Sequence, residues 1–119
     1  MPYICQTPEL FEGKKIGSGQ CVAFVQQCAG APTTGVWQQG QKVKGSSMLS
    51  KGTAIATFVD GHYPNHASGN HAAIYVSHDD DGIEVWDQWS GQTVHRRRIR
   101  FKGGSGSASN DGDQFYVIE

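Results

Sequence analysis

Cys21, His71 and Asp87 are the residues whose types, order and local settings could together break an amide bond. Cys21 follows Gly17-Ser18-Gly19-Gln20 and stands in the first turn of a predicted helix. Unpaired backbone N–H groups and the positive end of the helix dipole favour a thiolate there, and the thiolate is the nucleophilic form. The N–H of Cys21 could also hold a developing oxyanion. Gly17 and Gly19 permit a tight turn and close approach of a substrate backbone. His71 opens a strand after Gly69-Asn70, and Asp87 lies on the returning strand of the same hairpin. A hairpin turn brings those two strand ends side by side, so Asp87 can accept a hydrogen bond from His71 and set its tautomer. The commonplace alternatives are a core thiol for Cys21 and a structural role for His71. Asp87 is the more telling residue, because an inward-pointing strand carboxylate needs a partner.

The elements that must position these residues follow from periodicity. Ser18 to Ala29 carries apolar residues at helical spacing, with Ser18 or Gly19 as a cap and Gly30 and Pro32 as stops. Residues 31–50 are irregular, with a short helical turn near Trp37. Strands are predicted at Ala54–Val59, His71–Ser77, Ile83–Trp89, Thr93–Phe101 and Gln114–Ile118. In the third of these, Ile83, Val85, Asp87 and Trp89 share one face, and Glu84, Trp86 and Gln88 the other. The Gly/Ser-rich stretch from Lys102 to Asp113 reads as a mobile loop. One N-terminal helix packed on an antiparallel sheet of about five strands is an α+β fold.

At 119 residues the chain is expected to form one domain, 1–119. Apolar residues make up 37% and there are 16 glycines, which suits short strands and many loops. A formal net charge of −1 argues against a nucleic-acid binder. No apolar run approaches bilayer length, so no membrane insertion is expected. Met1 to Phe11 lacks the pattern of a secretory signal, which implies synthesis in the cytoplasm and export, if any, by a non-general route. Three cysteines allow one disulfide. Cys21 and Cys28 would lie ~10 Å apart along a helix, too far to bridge. A Cys5–Cys28 bridge is open, and two ordinary buried thiols are the favoured reading.

Gly19-Gln20-Cys21-Val22, Asn70-His71-Ala72-Ala73-Ile74 and Ile83-Glu84-Val85-Trp86-Asp87-Gln88 resemble the motifs of CHAP and NlpC-type cysteine amidases. These are papain-like enzymes that cut peptidoglycan peptides. The resemblance implies a papain-like core, with Cys21 as nucleophile, His71 as base, Asp87 as orienting residue and Gln20 as an oxyanion contributor beside the Cys21 N–H. Two departures stand out. Gly52-Thr53 replaces the family's usual Gly-Asp, and Asp87-Gln88-Trp89 replaces Glu-Gln-Asn, which bears on the third residue. The short chain also resembles small amidase effectors delivered by type VI secretion. That likeness implies a peptidoglycan peptide substrate in the periplasm of a target bacterium, and a cognate immunity protein. The D-alanyl–diaminopimelate cross-link is favoured over the D-glutamyl–diaminopimelate bond. Alternatives are an acyltransferase or deamidase of a protein target, and a non-enzymatic binding module.

The remaining polar features yield lesser expectations. His62 and His66 suggest zinc only on a helix, which Tyr63-Pro64-Asn65 makes a poor prospect, so no metal and no cofactor is expected. His62, Tyr63 and His66 are instead candidate substrate contacts on a loop beside His71. Trp89 is a candidate cleft wall, with core packing as the favoured role for both Trp86 and Trp89. Arg96-Arg97-Arg98-Ile99-Arg100 reads as a solvated edge strand whose charge blocks aggregation.

Overall fold

Helix α1 (Cys21–Ala29) begins at the predicted nucleophile, with Gln20 in extended conformation as its N-cap. The structure, a computed structural model, describes residues 1–64, 66 and 68–119. Gly19 makes the turn into the helix at φ 88°, a value that L side chains rarely adopt. At the other end Gly30 takes the left-handed conformation and donates to the Gln26 carbonyl at 2.9 Å, closing the last turn. Phe24 and Val25 are fully buried, and Cys28 packs against the same core. These are the i, i+3, i+4 and i+7 positions counted from Cys21, so one stripe faces the sheet.

Among the described residues six strands follow: β1 (Gln39–Lys42), β2 (Ala54–Thr57), β3 (Ala72–His78), β4 (Gly82–Trp89), β5 (Gln92–Arg100) and β6 (Phe115–Ile118). Their order across the sheet is β1-β6-β2-β3-β4-β5, and every pairing is antiparallel. The expectation of about five strands missed β1. Its sequence, Gln-Gly-Gln-Lys, has no apolar alternation, and it lies exposed at the sheet edge beside β6. The expected helical turn before Trp37 is a 3₁₀ turn at Thr34–Val36.

The central strands are buried on both faces. Ala54, Ala56, Ala72, Ile74 and Trp86 face α1, and the small alanines let Phe24 and Val25 settle close to the sheet. On the opposite face Ile55, Ala73, Tyr75, Ile83, Val85, Ile99 and Phe115 form a second cluster, flanked by Val43, Leu49 and Phe101. The stretch expected to be a mobile loop helps to close that face and is held in place. Asp111 is fully buried and accepts from the N–H groups of Lys102 (2.8 Å), Gly104 (2.6 Å) and Asp113 (3.0 Å). Burial opposes its ionisation, but these donors outweigh it and hold its pKa below the ordinary carboxylate value. Glycine content marked this stretch as loose, but two acidic side chains bind its backbone. Asp113 accepts from Gly103 at 3.1 Å and from Lys44 at 3.0 Å.

The cysteine expectation is also corrected. Cys5 and Cys28 form a disulfide, with Cα atoms 5.1 Å apart, and Cys21 is the free thiol. The N-terminal segment lies alongside β2, where Ala54 N donates to Tyr3 O and Cys5 N to Gly52 O, both at 2.8 Å. A side chain at position 52 would collide with the Cys5 carbonyl, so glycine is required there. This tertiary path brings Cys5 to α1. Closing a 23-residue separation is worth about 3 kcal/mol in the chain-entropy account. The double substitution Cys5→Ser, Cys28→Ser is expected to lower stability by about that amount. Urea denaturation of the two proteins checks this.

Candidate active site

Asp87 is the most deeply placed charge in the molecule's central hairpin, with no solvent exposure. Its Oδ2 lies 2.7 Å from His71 Nε2 and accepts a hydrogen bond from Arg97 Nε at 2.8 Å. His71 precedes β3 by one residue and is itself buried, its N–H held by Thr57 Oγ1 at 3.0 Å. Burial pushes the Asp87 carboxyl up, but hydrogen bonding to His71, the His71 charge and Arg97 outweigh it and hold the pKa below the ordinary value. His71 moves the other way. Burial disfavours the imidazolium, yet the hydrogen bonds to Asp87 and Cys21, with their charges, raise its pKa from 6.5 to about 9.

Cys21 completes the cluster from the helix side. With Nε2 engaged by Asp87, Nδ1 is the ring nitrogen left to face the thiol. Burial alone would raise the thiol pKa, but the hydrogen bond and charge of His71, the Ala72 N–H and Tyr63 lower it below its ordinary 9.0. Both shifts run toward the charged forms, thiolate at Cys21 and imidazolium at His71. Tyr63 Oη lies 3.8 Å from Cys21 Sγ and accepts from Asn70 Nδ2 at 3.2 Å. Burial, followed by the nearby Cys21 charge, pushes the Tyr63 phenol well up, so it stays a neutral donor.

A cleft of about 330 Å³ opens onto the thiol, lined by Gln20, Cys21, Val22, Thr34, Tyr63, His66 and Asn70. A second, of about 320 Å³, lies on the far side of His71 and is lined by Asn70, His71, Trp89, Arg97, Ser109 and Asn110. Among the predicted contacts, the structure thus brings Gln20, Tyr63 and His66 to the cleft beside Cys21. His62 is exposed and occupied in a turn with Val59, outside the described lining of both clefts. Trp86 is core, but Trp89 is 40% exposed and stands against His71 and Arg97, so the core reading of Trp89 is corrected. Among the described residues, no group of three or more His, Cys, Asp or Glu could hold a metal ion.

A profile of the family described as "Domesticated amidase effector 2" matches residues 1–118. A type VI secretion amidase effector 2 protein of Salmonella typhi is 35% identical across the full length of both chains. The chain belongs to the domesticated amidase effector 2 family. The domesticated amidase effector 2 of Ixodes scapularis is 41% identical, over 97% of this chain and 83% of that one. A solved structure of a type 6 secretion amidase effector 2 matches with a TM-score of 0.88 and 34% identity, covering 98% of this chain and 94% of the other.

Within this amidase effector fold, two contributors were passed over in the sequence. Gln88 is fully buried beside Asp87 but points to the opposite face. Its amide accepts from Ile16 N at 3.0 Å and donates to Ile16 O at 2.8 Å and Gln20 O at 2.9 Å. It stands in for a strand partner, pinning the turn that leads into α1 and so placing Cys21 relative to His71. A buried glutamine on a strand was the available signal. Arg97 is the other, hidden in a run that looked like a solvated face. Because Cys21 is the free thiol, alkylation reads it alone. Iodoacetamide is expected to modify one thiol per chain, with a midpoint below the ordinary thiol pKa. His71→Ala is expected to move that midpoint upward, and alkylation rate against pH measures both.

Proposed function

We propose that the chain hydrolyses an amide bond in peptidoglycan stem peptides or cross-links, with Cys21 as nucleophile, His71 as acid and base, and Asp87 as orienter. The observation that carries this reading is the helix-start thiol facing the buried His71–Asp87 pair at a cleft. Its setting in a chain of an amidase effector family supports it. The arrangement resembles the papain-like, NlpC-type plan.

In this mechanism the Cys21 thiolate attacks the scissile carbonyl carbon. The Cys21 N–H at the helix start and the Gln20 side chain bind the resulting oxyanion, and the Tyr63 hydroxyl is placed to assist. His71 gives its proton to the leaving amine as the tetrahedral species collapses to a thioester. Neutral His71 then takes a proton from water, which attacks the thioester. The acid product leaves, and Sγ returns to the thiolate. Asp87 holds the ring orientation through both halves.

The bond assigned first is the D-alanyl–diaminopimelate cross-link, with the D-glutamyl–diaminopimelate bond second. The Cys5–Cys28 disulfide suits action in an oxidising compartment such as a target cell's periplasm. A type VI secretion effector of this kind implies an antibacterial role and an immunity protein that blocks the cleft.

Purified sacculi incubated with the protein are expected to release new muropeptides, and mass analysis of these identifies the bond. Cys21→Ala is expected to abolish release, and Asp87→Asn to lower kcat/KM by roughly 100-fold or more with the fold retained. Unaltered sacculi after treatment with folded wild-type protein would count against the proposal. The pH profile of kcat/KM is expected to be bell-shaped. Its acid limb reports protonation of the Cys21 thiolate, and activity falls again as His71 deprotonates near pH 9.

A further inference from the structure

The arginine run on β5 does not behave as a unit. Arg96 and Arg98 lie on the face that carries Glu84 and Trp86 and pair with Glu84 at 3.4 and 3.0 Å, and Arg98 also pairs with Asp79. Arg97 points to the opposite face, diagonal to Asp87 across the β4–β5 ladder, in which Val85 pairs with Arg97 and Asp87 with His95. Its Nε donates to the same Asp87 oxygen that His71 engages. Its Nη1 donates to Asn110 Oδ1 at 3.3 Å and its Nη2 to Ser109 O at 3.4 Å. The guanidinium also lies 5.2 Å from the Trp89 ring centre.

We propose that Arg97 is a positioning residue for the hydrolysis, acting through Asp87 and tying that carboxylate to the 109–110 segment. This rests on the roles given above to Cys21, His71 and Asp87. During the reaction His71 gives up its proton and regains it. While the imidazole is neutral, a fully buried carboxylate with His71 as its only close cation would draw a proton to itself. The fixed charge of Arg97 keeps Asp87 ionised through that interval, and its Nε, with Nη1 and Nη2 anchored on Asn110 and Ser109, fixes which oxygen faces His71.

The charged and titratable groups around this centre define the expected signs. Asp87 is faced by His71 and Arg97, and by His95, whose Nδ1 lies 3.7 Å from Oδ1. His71 is faced in addition by Cys21, which Tyr63 approaches from its own side. The Arg97 charge favours ionised Asp87 and disfavours protonated His71. Its removal therefore raises both pKa values, and the rise at His71 moves the basic limb of the activity profile to higher pH.

The test compares Arg97→Gln, which keeps a donor and loses the charge, with Arg97→Lys, which keeps the charge and loses the fork. Folding is first checked by circular dichroism. Arg97→Gln is expected to shift the basic limb upward by about one pH unit and to lower kcat roughly tenfold or more, with KM little changed. Arg97→Lys is expected to keep the wild-type basic limb within about 0.3 unit while losing several-fold in kcat. The NMR titration of the His71 ring gives a second readout that needs no turnover, and its midpoint is expected to rise in Arg97→Gln alone. A wild-type basic limb and midpoint in folded Arg97→Gln, or the same loss and profile in both variants, would overturn the proposal. Should Arg97→Gln fail to fold, a displaced basic limb in Arg97→Lys would overturn it and a retained one support it. Wild-type protein inert toward sacculi would instead remove the hydrolytic reading, and the His71 midpoints would still report on Arg97.

Discussion

One carboxylate oxygen organises this molecule. Asp87 Oδ2 lies out of solvent contact and is shared between His71 and Arg97. Burying a carboxylate is tolerable only when opposite charge and hydrogen bonds replace the water it gives up. Here the replacements at Oδ2 come from His71, just before β3, and from Arg97 on β5, so β3, β4 and β5 must hold their register to keep them there, while Oδ1 is buried with no hydrogen-bond partner among the described residues. Stripping away one partner of such a buried pair typically costs about 3–5 kcal/mol. The demand spreads outward. Arg97 is steadied by Ser109 and Asn110, and their segment is steadied by the amides gathered around Asp111. A run of contacts thus links a glycine-rich surface segment to the Cys21 thiol.

Much of this was legible in the residues, for definite reasons. His71 and Asp87 could be paired because strand alternation and a short Asp-Gly turn leave little freedom in a hairpin. Cys21 could be placed because glycines before it and Gly30 after it bracket one helix. The parts that escaped notice depend on contacts remote in sequence. Nothing local to Cys5 or Cys28 says that the N-terminal segment runs beside β2 and delivers one to the other. Strand β1 lacks alternation because its side chains are exposed, so it pairs without a pattern to show for it. Arg97 differs from Arg96 and Arg98 in taking the Asp87 face of β5, which matters once Asp87 is known to lie across the ladder.

The Gly/Ser-rich segment teaches a related lesson. Composition reports how freely a chain could move, not whether something holds it. Fixing such a backbone costs roughly 1–2 kcal/mol per residue in lost freedom. Asp111 and Asp113 offset part of that through charge-assisted bonds to otherwise unpaired N–H groups. The segment is therefore ordered before any substrate arrives, and the wall that Ser109 and Asn110 lend to the second cleft is preformed.

Gln88 has a consequence for how such a protein can change over time. Its three hydrogen bonds to the Ile16 and Gln20 backbone locate the start of α1 without reference to which side chains fill the space beneath the helix. Phe24, Val25 and the alanines under them can then drift together in size and shape, while the distance from helix start to hairpin stays tied to backbone atoms that every residue type but proline possesses. Mutational tolerance in the core and fidelity in the cleft become separable properties, divided at a single amide.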